Sequence, residues 1–277
     1  MIQRDPSLPD LTGQRVLVTG ASGGIGGGIA RRFAAAGARV AVHYRGAAER
    51  AFALVEELRE RGADAVAVRA DLSQEGAAAV LVEATVRALG GIDGLVNNAG
   101  IQPLQTLDET SRSDWDQVLS TNLGAVFELS REAAAAMVAG SGAGSGSGSE
   151  AASASGPPAN RWITHIASVE ASRPAPAHAH YAVAKAGLVM HARAAALELG
   201  PDGIRVNTVS PGLVERPGLE EAWPEGVASW REHAPLGRLA TSRDIGDACV
   251  LLASPAASFI TGQDLAVDGG MLATPGW

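Results

Sequence analysis

Tyr181 and Lys185 stand four residues apart in Ala179-His180-Tyr181-Ala182-Val183-Ala184-Lys185-Ala186-Gly187-Leu188, a segment rich in helix formers. On a helix that spacing puts both side chains on one face, one turn apart. A free phenol titrates at about 10 and is a reluctant acid or base at neutral pH, whereas an ammonium within reach stabilises the phenolate by charge attraction. Ser168 adds a hydroxyl where the β-branched run Trp162-Ile163-Thr164-His165-Ile166 gives out at Ala167. The three side chains together can pass a proton to or from a carbonyl or an alcohol. A lone Tyr-x-x-x-Lys more often joins a surface tyrosine to a solvated lysine, so the weight has to come from the rest of the chain.

The elements that would position this set form a strand-helix alternation. Arg15-Val16-Leu17-Val18-Thr19 reads as a first strand and opens directly into Gly20-Ala21-Ser22-Gly23-Gly24-Ile25-Gly26. A helix with Ile29 and Phe33 four apart then runs through Ala36 and is stopped by Gly37. A strand leading through glycines into a helix N-terminus cradles a pyrophosphate, because missing Cβ atoms allow close approach and free amides meet the charge. The second strand, Arg39 to Tyr44, ends at Arg45 with no acid before Glu49. In a dinucleotide fold an arginine there favours a 2′-phosphate and a carboxylate a free 2′-hydroxyl, which leans toward NADP. The alternative, Arg45 as a solvated surface charge, draws on Gly23, which gives the phosphate loop no second basic group.

Further along, Ala47 to Gly62 carries Ala51, Leu54, Val55 and Leu58 on one helix face, and Ala65 to Ala70 reads as a strand. Asp71 follows, either to meet an adenine amino group or to cap the helix Glu75 to Leu89. Gly94 to Asn97 is a fourth strand that runs into Asn98-Ala99-Gly100, where amide side chains beside small residues suit neighbouring strands held close. Ser113 to Ala139 is a long helix pattern. Asn122, with Gly124 near it, could mark a local break, although an asparagine taken alone reads as a tolerated surface residue. Residues 140–158 are almost all Gly, Ser and Ala, a composition expected to form a flexible insert within one domain. Helix Ala179 to Leu199, strand Ile204 to Ser210 with Pro211-Gly212, a capped helix Ser242 to Ala253 and strand Leu265 to Val267 complete the alternation. The stretch Leu213 to Pro235, with Trp223 and Trp230, reads as a long loop covering a site.

Composition narrows the partners. The 277 residues are 46% hydrophobic with a net charge of -8, which fits one sizeable core and disfavours nucleic acid or an anionic membrane surface. The single cysteine, Cys249, lies in an apolar run and excludes an intramolecular disulfide or a cysteine-based metal centre, and no metal site is expected. With no apolar targeting segment and no run of membrane-spanning length, the chain reads as soluble and cytoplasmic.

The strands and helices describe an α/β fold: a single-domain, Rossmann-type, doubly wound parallel sheet with helices on both faces. Thr19-Gly20-x-x-x-Gly24-x-Gly26, Asn97-Asn98-Ala99-Gly100, Asn122, Ser168, Tyr181-x-x-x-Lys185 and Pro211-Gly212 occur in that order, and from Leu11 to Gly270 the chain resembles the short-chain dehydrogenase/reductase family. The resemblance implies that Tyr181 gives or takes the proton and that Lys185 lowers the tyrosine pKa and holds the nicotinamide ribose. It implies also that Ser168 orients the substrate oxygen and Asn122 breaks its helix to support a proton-relay water. The cofactor would lie against Gly20, Ser22, Gly24, Ile25, Gly26, Tyr44, Arg45, Asp71, Leu72, Asn98, Ala99, Gly100, Pro211, Gly212 and Val214. One departure is Arg216, where the family often has a threonine; it could face an anionic substrate or pair with a lid glutamate.

These features together lead to an enzyme that passes a hydride between NADP(H), or alternatively NAD(H), and a small carbonyl or secondary alcohol. The acidic cover, with Glu215, Glu220, Glu221 and Glu225, weakens the acyl-carrier-bound substrates that many relatives reduce. The competing class, a nucleotide-binding sensor without catalysis, is opposed by the intact Ser168, Tyr181 and Lys185. The resemblance also implies a homodimer or homotetramer paired through the two long helices, with Ala182, Ala186 and Ala194 allowing close approach.

Overall fold

Successive residues of a strand point to opposite faces of a sheet, so a strand covered by helices on both sides reads as continuously apolar. β1 (Arg15–Val18) shows the consequence: Val16 and Val18 enter one core and Leu17 the other. In the computed structural model, which describes residues 4–142 and 160–274, seven parallel strands lie in the order β3-β2-β1-β4-β5-β6-β7. β2 is Arg39–Tyr44, β3 Ala65–Arg69, β4 Gly94–Asn97, β5 Arg161–Ile166, β6 Ile204–Pro211 and β7 Asp264–Val267. The order reverses between β1 and β4, and a crevice opens beyond the carboxyl ends of the strands at such a switch point.

One face is covered by α1 (Gly24–Ala35), α2 (Ala48–Glu60) and α9 (Ser242–Ala253), which bury Ile29, Phe33, Leu54 and Ile245 against Val40 and Val42. The other is covered by α3 (Ala77–Leu89), α5 (Ala125–Gly142) and α6 (Ala179–Leu199), with Leu81, Leu129, Met137 and Ala192 against Ala41 and Ile163. Phe33 stacks on Trp162 with centroids 5.1 Å apart and planes 7° apart. A Cβ at Gly94, the register partner of Trp162, would sit 2.1 Å from that indole, so glycine is required for the ring to lie flat. Truncating Trp162 to alanine should cost about 3–5 kcal/mol, a large part of a domain's stability.

The long helix pattern breaks around Asn122, as the resemblance implied: α4 (Arg112–Leu119), capped by a Ser111–Asp114 box, passes through a π turn at Ser120–Gly124 into α5. One expectation changes. The segment expected as a long loop is largely helical, with α7 (Leu219–Ala222) and α8 (Pro224–His233) packing Leu219 and Val227 with Leu239 into a small apolar cluster of their own. The expected flexible insert lies, from residue 143, outside the described residues. Among the described residues no helix is long and apolar enough to cross a membrane.

Candidate active site

The glycine turn is built for close approach. Gly20 (φ 63°) and Gly24 (φ 54°) adopt left-handed backbone that favours glycine. A Cβ at Gly26 would meet the Gly20 carbonyl at 2.4 Å and the Asn98 amide at 2.5 Å. No side chain caps α1 and no acid stands in its first turn, so its N-terminal amides remain available for an anion. Asn98 Nδ2 donates to the carbonyls of Thr19 (2.8 Å) and Gly20 (3.3 Å), while Thr19 Oγ1 accepts from the amides of Asn98 (2.9 Å) and Ala99 (3.0 Å). The ends of β1 and β4 are thereby locked beneath the turn. This bare cradle, open at the helix N-terminus, fits the pyrophosphate of a dinucleotide.

Asn122 is 1% exposed, which overturns the surface reading of that residue taken alone. Its Oδ1 accepts from Ile101 N and its Nδ2 donates to Ile101 O, each at 2.8 Å. The π turn presents the amide sideways to the backbone that follows Asn98-Ala99-Gly100, a local insertion of the sort that recurs at functional sites.

Ser168, Tyr181 and Lys185 converge at the end of β5. Ser168 accepts from Glu170 N at 3.1 Å, and its hydroxyl is near enough to the Tyr181 phenol to lower its pKa. Lys185 Nζ lies 5.4 Å from the Tyr181 ring centroid and donates to Ile166 O at 2.7 Å. The electrostatics differ from expectation: burial, with the nearby Glu170 carboxylate, pushes the Tyr181 phenol up to about 12, against the smaller lowering effect of Ser168. Lys185 does not make the phenol acidic here. Burial pulls the ammonium itself down to about 8. A buried ammonium has three donors, and Ile166 takes one, which suits hydroxyls of a ribose for the others.

The comparisons with known proteins point to one family. A family model described as enoyl-(acyl carrier protein) reductase matches residues 20–272. The chain is 36% identical over 270 residues to 3beta-hydroxysteroid dehydrogenase 1 of Eggerthella lenta, covering 97% of each chain. It is 35% identical to a 3-oxoacyl-[acyl-carrier-protein] reductase of Staphylococcus aureus, over 92% of this chain and 96% of the relative. A dehydrogenase/reductase structure from Sinorhizobium meliloti superposes with a TM-score of 0.82 at 36% identity, over 95% and 96% of the two chains.

The chain belongs to the short-chain dehydrogenase/reductase family. It is an oxidoreductase with the seven-stranded sheet of its relatives.

Within this family member the sequence-predicted residues gather around the crevice to different degrees. Gly20, Ser22, Gly24, Ile25 and Gly26 form the turn and the start of α1, with Asn98, Ala99 and Gly100 beneath. Pro211 ends β6, Gly212 N donates to Val267 O at 3.0 Å, and Val214 bridges to Ala240. Tyr44 is 8% exposed and edge-on to Phe52, so its side chain serves the core. Asp71 does not cap α3, whose N-cap is Gly76. Its Oδ1 instead accepts from Ser73 N (3.1 Å) and Ser73 Oγ (2.8 Å), and these bonds, with Arg45 and Arg69 nearby, hold its carboxyl low. Leu72 beside it is partly buried. Between Leu213 and Pro235, the paired glutamate is Glu220, and its partner at 2.7 Å is Arg231 rather than Arg216.

Two residues escaped the sequence reading. Arg50, on α2, brings a guanidinium nitrogen to 4.0 Å from where a Cβ of Gly23 would stand, supplying the second basic group that the loop itself lacks. Its signal was the placement of an arginine in the first turn of the helix after β2. His43 is 2% exposed; its Nδ1 accepts from Gly20 N at 3.1 Å and its Nε2 faces Ala70 O at 3.2 Å. A polar residue in an otherwise apolar strand was the available signal.

Proposed function

We propose that this protein is a single-domain, NADP(H)-dependent carbonyl reductase or alcohol dehydrogenase acting on a small ketone or secondary alcohol. The observation that carries the reading is the convergence of Ser168, Tyr181 and Lys185 at the carboxyl end of β5, on the same edge of the parallel sheet as the glycine turn after β1. Bound nicotinamide supplies or takes the hydride. A phenol held at about 12 keeps its proton across the working range and serves as the donor to a substrate oxygen during reduction. Ser168, close enough to that phenol to lower its pKa, is the candidate to share the same oxygen. Lys185 holds the ribose and offers the charge that a developing phenolate needs. Asn122, tied at both ends to Ile101, fixes the backbone at the cleft floor and supports a relay water.

Arg45, exposed at the end of β2, and Arg50 favour a 2′-phosphate over a free hydroxyl, with Asp71 toward the adenine. Exposed glutamates at 215, 220, 221 and 225 disfavour an acidic carrier domain. Homo-oligomer formation is supported by the outward face of α6, where Val183, Met190 and Leu197 are 48%, 59% and 81% exposed at seven-residue spacing. Ala186 and Ala194 lie on the exposed side, whereas Ala182 is buried. The test is loss of reduced-nicotinamide absorbance over a panel of ketones, sugars and acyl thioesters, with NADPH and NADH in parallel. Turnover of no carbonyl with either nucleotide would sink the reading.

A further inference from the structure

Three segments meet beside Tyr181 in an arrangement that the proton chemistry leaves unused. Glu170 follows Ser168 by two residues and is tied to it through its own amide. Its Oε1 accepts from Gln102 Nε2 at 3.1 Å, and its Oε2 lies 2.9 Å from His178 Nδ1. Both the Glu170 and His178 side chains are 13% exposed, so they lie mostly buried next to Tyr181. The His178 ring stands 5.9 Å from the Tyr181 ring, and the Glu170 charge is felt at the Tyr181 phenol. Ala177, just before His178, takes a left-handed φ of 62° that a non-glycine residue rarely adopts, and its carbonyl is held by Gln105 N at 3.0 Å. The backbone thus accepts strain where it aims the imidazole.

The hydrogen-bond inventory of this pair is one-sided. A carboxylate has only acceptor positions, and Gln102 and His178 take part of them. The nearby cation Arg173 is turned to the carbonyls of Met271 and Thr274, each at 3.3 Å. A ligand group seated here therefore meets lone pairs and negative charge, which welcome a donor and repel an anion.

We propose that Glu170, held by His178 and Gln102, is a specificity-determining residue of the substrate mouth: it selects ketones or alcohols bearing a hydroxyl or protonated amine beside the reacting carbon and rejects those bearing a carboxylate. The proposal rests on the reductase reading above. Its test uses a matched set of butan-2-one, 1-hydroxybutan-2-one and 2-oxobutanoate with NADPH, comparing the full-length protein with Glu170→Gln. The ratio of kcat/KM for hydroxyketone over oxoacid should fall about tenfold or more in the variant, and a ratio cancels any common change at Tyr181. A second arm reads binding without chemistry, by saturation-transfer NMR competition between the same two ligands on Tyr181→Phe with NADPH, with and without Glu170→Gln. Measurable turnover with an unchanged ratio overturns the proposal and leaves the reductase reading standing. A binding preference for the hydroxyketone that is lost with Glu170→Gln supports the proposal even where none of the three is turned over, whereas failure of the whole carbonyl panel with both nucleotides is what sinks the reductase reading. No preference in either arm overturns the proposal.

Discussion

The Lys185 ammonium stands 5.4 Å over the Tyr181 ring yet gives its hydrogen bond, at 2.7 Å, to the Ile166 carbonyl. The lysine is thus seated by the sheet and presented to the tyrosine from the side. Each partner titrates as its own burial dictates, the phenol upward and the ammonium downward.

That seating makes Lys185 a pH reporter. Its folded value of about 8 lies below the ordinary 10.5, so below pH 8 the fold bears the full cost of an interior charge. Between 8 and 10.5 the folded state releases the proton before the unfolded state does, so stability rises with pH over that window. Denaturant titrations from pH 7 to 10.5 should show the protein gaining on Lys185→Met by on the order of 2 kcal/mol. Reductase activity should fall above pH 8 as the charge is lost. A constant stability gap between the two proteins would contradict the assignment.

Tyr181→Phe should lower turnover about a thousandfold, the range expected for a positioned proton donor. Cofactor affinity, read by nucleotide fluorescence, should stay within about twofold, because the phenol oxygen is lost without disturbing the glycine turn. A variant as active as the parent would remove Tyr181 from the chemistry.

Arg45→Ala and Arg50→Ala should each weaken NADPH binding about tenfold and NADH binding far less, because a charge-assisted phosphate contact is lost only with the former. Dissociation constants for both nucleotides decide it. Equal effects on the two nucleotides would make these arginines general surface charge.

His165 gives the protein an acid limit. Fully buried, with Nε2 3.0 Å from His191 Nδ1 and Nδ1 3.1 Å from the Asn97 amide, it is pushed by burial, and further by His191 and Lys185, to about 3. The unfolded chain takes up that proton near 6.5 and the folded chain does not, so stability is complete above 6.5 and drains away as pH falls toward 3. The slope should approach about 1.4 kcal/mol per pH unit relative to His165→Asn in urea titrations. Parallel curves for the two proteins would show that this histidine is not the group responsible.

Much of this was legible because strand and helix periods are strong and local. β2, β4, α6 and α9 begin and end where their residue patterns place them, and the glycine turn is explicit in its spacing. The failures involve distance along the chain. Asn122 taken alone reads as surface, and only the family motif set it in the site; Ile101, 21 residues earlier, takes both ends of its amide. α7 and α8 escaped because Leu219 and Val227 find their apolar partner only at Leu239. The tyrosine's acidity was misjudged because spacing gives the lysine's place but not the burial around both groups.

Gly212 has room for a hydrogen and little more: a methyl there would fall 2.5 Å from the Trp230 ring and 2.9 Å from Asp268. The same atom-sized gap therefore seats α8 and closes the end of β6. Position 212 is thus a pivot to be left alone, while freedom to vary lies outward along α7 and α8, at exposed Glu221 and Glu225.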